Sequence, residues 1–131
     1  MKDDIFFMTL AVLSLWHEEC PEEYFGCVLA TDAEEYEFKI VKKNEDLKLM
    51  AEEIFESYDK FFGTIYLTVP PFVDLVDLSA EKGVKKIVYM TNKVHVKRRN
   101  GVILEPFVNT FGKIIDILSS YKPKDININR V

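Results

Sequence analysis

The sequence predicts an α/β protein, a three-layer α/β/α sandwich around a mixed, mostly five-stranded sheet. Three observations carry that prediction. Segments with apolar residues at helical spacing alternate with short runs rich in β-branched and aromatic residues. An apolar run at 24–30 and an alternating run at 36–42 flank a polar turn, as the arms of a hairpin do. A strand, a helix and a strand fill 64–90 with short joints, the unit that lays two strands parallel.

Each element follows from its residues. Residues 4–18 read as a helix in which Ile5, Met8, Leu10, Val12, Leu13, Leu15 and Trp16 cover more than one stripe, so most of its circumference is buried. Asp3 or Asp4 caps it and Pro21 ends it. Tyr24 to Ala30 is a buried strand. Residues 31–35 are a polar turn, and Tyr36 to Lys42 alternate as a half-buried strand. Asn44 is the expected cap of a helix over 45–59, whose Leu47, Met50, Ala51, Ile54, Phe55 and Tyr58 follow the i, i+3, i+4, i+7 rule.

Gly63 breaks the chain before a strand at 64–69. Pro70 stops that strand, and Pro71 suits the first turn of a helix over 71–82, with Phe72, Leu75, Val76, Leu78 and Ser79 inward and Gly83 at its end. Residues 86–90 form the next strand. Val94 and Val96 alternate with His95 and Lys97, Asn100-Gly101 is a two-residue hairpin turn, and Val102 to Leu104 return. Residues 107–120 have helical spacing, and 126–129 alternate as a final edge strand. No linker, repeat or low-complexity segment interrupts 1–131, which reads as a single domain.

Composition narrows the class. The chain has 131 residues, 48% hydrophobic and 30% charged, which excludes an intrinsically disordered polymer. No apolar run reaches the roughly 18–20 residues of a membrane-spanning helix, so no membrane association is expected. The acidic start, Met1-Lys2-Asp3-Asp4, is unlike a secretory leader. Two cysteines make no disulfide framework, and the expected compartment is the cytoplasm. Charge is uneven: residues 1–60 hold 16 Asp/Glu against 6 Lys/Arg, and residues 61–131 hold 6 against 11. Either the first half presents solvated acidic helix faces, or acidic and basic surfaces meet in a head-to-tail or subunit contact, or the basic half meets an anionic partner.

The order of elements resembles the cytidine and deoxycytidylate deaminase superfamily. Phe25-Gly26-Cys27-Val28-Leu29 resembles the family's first strand. Asn44 stands where its substrate-side Asn falls. The stretch from Gly63 to Pro71, GTIYLTVPP, resembles the strand before the second zinc motif, and Gly83 to Tyr89, GVKKIVY, resembles the closing strand. The likeness spans about 4–90 and is densest over 63–89.

The resemblance implies a zinc ion held by one His or Cys and two Cys, which turns water into hydroxide, with a non-ligand Glu moving the proton. This chain departs from that pattern at every ligand. Met50-Ala51-Glu52 stands for the family's His-Ala-Glu, and Pro71-Phe72-Val73-Asp74-Leu75 stands for Pro-Cys-x-x-Cys. Only Glu52 keeps its role. A thioether is a poor zinc ligand, and hydrocarbon side chains offer no lone pair. Met50, Phe72 and Leu75 read instead as a cavity refilled, each side chain gaining roughly 1.5–3 kcal/mol by burial. Glu52 then has a second reading, a helix-surface acid near a helix N-terminus.

Other chemistry is thinner. His17 and Cys20, and Asp74 and Asp77, are pairs three apart, one donor short of a metal site. The templates of P-loops and nucleophile elbows are missing. Lys93, His95, Lys97, Arg98 and Arg99 crowd a hairpin tip, where they either contact phosphate or blunt an edge strand. The expectation is a catalytically inactive deaminase-like protein without cofactor, acting through self-assembly or a deaminase-like partner subunit. The alternatives are a nucleotide or single-stranded nucleic-acid binder using Asn44, Glu52, Asp74 and the basic hairpin, and a zinc-independent enzyme using Glu52.

Overall fold

Residues 4–33, 35–56, 63–90 and 97–107 are described by the structure, a computed structural model. Helix α1 (Asp4–Trp16) precedes a 3-10 turn (Pro21–Glu23) and the hairpin β1 (Tyr24–Ala30) and β2 (Tyr36–Lys42). Helix α2 (Leu47–Ile54), strand β3 (Thr64–Leu67), helix α3 (Val73–Glu81) and strand β4 (Lys86–Met90) follow. The hairpin β5 (Lys97–Arg99) and β6 (Val102–Phe107) closes the described part.

The described strands form one sheet in the order β2-β1-β3-β4-β6-β5. β3, β4 and β6 run parallel, while β1, β2 and β5 pair antiparallel with their neighbours. The sheet is therefore mixed. Among the described residues it has six strands, Lys97–Arg99 pairing with β6 as the sixth.

Period-two alternation divides the core into two layers. Phe25, Cys27 and Leu29 of β1, Ile65 and Leu67 of β3, and Ile87 of β4 face α2 and α3 and join Met50, Ala51, Ile54, Leu75 and Val76. Val28, Ala30, Tyr66 and Val88 face the other way and join Phe7, Met8, Ala11 and Val12 of α1. Among the described elements, two helices on one face and one on the other make the three-layer sandwich. The Tyr66 hydroxyl donates to the Asp4 carboxylate at 2.7 Å, tying the first turn of α1 to the middle of the sheet.

Gly26 sets how closely α1 sits. A Cβ there would lie 2.5 Å from the Ala11 carbonyl oxygen and 3.2 Å from Thr68 Cγ2. Only a residue without a side chain allows the helix backbone to approach β1 this closely. The Gly26 N–H is satisfied by the Thr68 hydroxyl at 2.9 Å.

Several element ends differ from expectation. α1 stops at Trp16, and Pro21 opens the 3-10 turn instead of ending the helix. The cap of α2 is Asp46, whose carboxylate accepts the Leu49 N–H at 3.0 Å. Asn44 lies outside that helix and accepts the Asp46 N–H at 2.9 Å. Pro71 precedes the N-cap of α3, Phe72, so the helix starts two residues later than expected. Its far end closes as a Schellman motif, with Gly83 N–H on the Ala80 carbonyl and Val84 N–H on that of Ser79. Asn100 (φ 51°) and Gly101 (φ 82°) make the left-handed pair of a two-residue hairpin turn, as their identities predict. Phe107 is the last residue of β6, not the first of a helix, because pairing with Met90 outweighs local spacing. The expected helix over 108–120 and strand at 126–129 lie outside the described residues.

Replacing Asp46 with alanine is expected to destabilise the protein by about 0.5–2 kcal/mol, since the Leu49 N–H loses its acceptor. Urea titration of Asp46→Ala against Asn44→Ala checks it: the first shifts the midpoint, the second much less.

Cys27 is fully buried in β1 on the α2/α3 side. Desolvation pushes its thiol up to about 12, against the smaller opposing pull of Lys39. The folded thiol keeps its proton where the unfolded one ionises, so the native state binds more protons between the two values. Stability therefore falls as pH rises from 9.0 towards about 12. Urea midpoints measured across that window are expected to fall more steeply for the wild type than for Cys27→Ala.

Candidate functional site

The packing of α2 against α3 leaves a half-open cleft of about 170 Å³ on the molecular surface. Lys48, Ala51 and Glu52 line it from α2, and Asp74, Asp77, Leu78 and Glu81 line it from α3. The spacings are those of single helix faces. Four carboxylates and one amine therefore share a shallow groove with an apolar floor, a setting that favours cations and hydrogen-bond donors over anions.

The cleft brings together Glu52 and Asp74, two residues that the sequence singles out. Glu52 is exposed and Asp74 half-buried. Asn44 is not among the lining residues. Its backbone N–H donates to Met50 Sδ at 3.2 Å, and its side chain holds the turn before α2. Met50, where the resemblance would place a zinc ligand, thus accepts a backbone hydrogen bond on its sulfur and turns into the core, 6% exposed.

Beneath the cleft, Met50 and Leu75 belong to one apolar cluster, with Phe72 packed against it. Leu75 is fully buried, and Phe72 is the half-buried cap residue of α3. These three side chains offer one thioether and no thiolate, imidazole or carboxylate, so they do not fit zinc. Among the described residues, no three His, Cys, Asp or Glu side chains are placed to hold a metal ion. His17 and Cys20 lie exposed beyond the end of α1.

The basic hairpin is only partly described. Lys93 and His95 lie outside the described residues, and Lys97 and Arg98 are placed by their backbone in β5. Arg99 turns back onto α3, donating to both Asp77 carboxylate oxygens at 3.1 and 3.4 Å. The Asn100 amide donates to the same carboxylate at 2.7 Å. This contact fastens the hairpin tip to the rim of the acidic cleft. Both charged partners are well exposed, so the pair fixes geometry more than it adds stability. Lys86 of β4 pairs with Glu105 of β6 at 3.3 Å.

Local spacing did not reveal the Asp77–Arg99–Asn100 contact, because it joins residues more than twenty positions apart. The opposite charges at a helix rim and a hairpin tip were the only signal. No protein-family model matches the sequence, and a comparison with curated proteins finds no match. No described helix is long and apolar enough to cross a membrane.

Proposed function

We propose that this chain is a catalytically inactive, deaminase-like protein of the cytoplasm that works through protein–protein contact. Its partner is a second copy of itself or a deaminase-like subunit. One observation carries the reading: Met50, Phe72 and Leu75, where the resemblance puts zinc ligands, are members or neighbours of a single packed apolar cluster. A site that has become core contributes stability and no reaction. The basic hairpin is less suited to phosphate than its sequence implies, since Arg99 is engaged by Asp77.

Light scattering of the purified chain over a range of concentrations tests the proposal. The expected mass is a multiple of 15.3 kDa. A monomer at every concentration, joined by salt-dependent binding of single-stranded DNA, would support the nucleic-acid reading instead.

A further inference from the structure

Strand β2 is the terminal strand of the described sheet and carries an unusual surface. Phe38 is 53% exposed, the most exposed large apolar side chain of the described strands. Phe6 and Tyr36 extend the patch, with ring centroids 5.7 Å apart.

The phase of the β1–β2 ladder shows what the outer edge offers. The Thr31 N–H donates to the Glu35 carbonyl at 2.8 Å, and the Lys43 N–H donates to the Glu23 carbonyl at 2.8 Å. These bonds bracket the ladder and belong to its closely spaced pairs. Odd-numbered residues of β2 therefore aim their backbone groups at β1. Phe38 and Ile40, at even positions, aim theirs away from it. The most exposed phenyl ring thus sits on a residue whose N–H and C=O face outward.

Edge strands of this kind are normally blunted by charge. Here Lys39, the central cation of the strand, donates to the Glu53 and Glu56 carbonyls at 3.0 and 2.7 Å. These bonds hold it on the α2/α3 face of the strand, over the end of α2.

We propose that β2 pairs antiparallel with β2 of a second copy, on a twofold axis through Phe38, joining two sheets into one. The assembly form of the proposed function is the reading on which this rests. An in-phase twofold axis can pass through any residue of the strand, and side-chain chemistry selects among the registers. An axis through Glu37 or Lys39 sets that charge against itself. An axis through Ile40 sets Phe38 against Lys42. The axis through Phe38 sets Glu37 of each copy opposite Lys39 of the other, on the α2/α3 face. On the α1 face it stacks Phe38 on Phe38 and Tyr36 on Ile40. Alternation of Tyr36-Glu37-Phe38-Lys39-Ile40 makes the strand complementary to itself in this register.

Cysteine cross-linking in the full chain tests the contact. In a Cys20→Ser background, Phe38→Cys is expected to form a covalent dimer under mild oxidation. Residues opposite each other in a hydrogen-bonded pair lie about 5.5 Å apart at Cα, within disulfide reach. Ile40→Cys, which faces Tyr36, is expected not to. In light scattering, Glu37→Lys is expected to weaken association by about tenfold, and Glu37→Lys with Lys39→Glu to recover it. Circular dichroism of each variant separates lost pairing from lost fold. A wild-type dimer in which Phe38→Cys does not cross-link overturns the β2 contact and leaves self-assembly standing. A wild-type monomer overturns both.

Discussion

Gly26→Val is expected to be the most damaging single substitution in the sheet. Its first side-chain atom would lie 2.5 Å from the Ala11 carbonyl oxygen, far inside van der Waals contact. That oxygen is helix backbone and cannot swing aside as a side chain can. Relief requires α1 to lift from β1, which opens the layer formed by Phe7, Met8, Val28 and Tyr66. The Gly26 N–H would also be pulled from the Thr68 hydroxyl. Overpacking of this kind costs about 1–3 kcal/mol, and loss of the layer adds to it. The expected result is a clear loss of urea midpoint, larger than for Gly26→Ala. A variant as stable as the wild type would mean that α1 is not seated on β1 as described.

Leu75→Ala is expected to cost about 2–5 kcal/mol, the range for emptying a fully buried leucine position. Leu75 has no exposed surface and sits under the cleft among Ile54, Ile65 and Val76. Met50→Ala should fall in the same range, because Met50 is nearly as buried. Phe72→Ala should cost less than its size implies, since its ring is half-buried. This ordering follows from the three positions being core. An open functional pocket predicts the opposite, little loss of stability and a gain from small or polar replacements. Urea midpoints of the three variants decide between them.

Much of the architecture was legible in local patterns. A continuous apolar run marked Tyr24–Ala30 and alternation marked Tyr36–Lys42, both at their observed bounds. The strand–helix–strand rhythm of 64–90 gave the parallel pairing of β3 and β4. Asn100-Gly101 marked its turn because the dipeptide tolerates positive φ at both positions. Errors fell where two neighbouring residues competed for one role. Asn44 and Asp46 are both good caps, and the carboxylate that reaches Leu49 N–H wins. Pro71 suits a first helical turn, yet α3 begins only after Phe72, whose own backbone is still extended.

The candidate site was less legible, because it is made by long-range packing. Glu52 and Asp74 stood out one at a time. The three-residue spacing put Asp77 beside Asp74, but nothing in it says that Glu52 and Lys48 of α2 meet them across the α2/α3 interface. Arg99 read as a free cation because its acceptor, Asp77, is twenty-two positions away. The exposed edge of β2 needed the hydrogen-bond phase of the hairpin, which identities alone do not specify.

The central claim is that the positions at Met50, Phe72 and Leu75 hold the core together and bind no hydrolytic metal. Elemental analysis of the purified chain, paired with an assay for ammonia release from cytidine and deoxycytidylate, tests it most directly. The expected result is zinc far below one equivalent and no release above that of a Glu52→Gln control. One equivalent of zinc, with turnover abolished by Glu52→Gln, would contradict it.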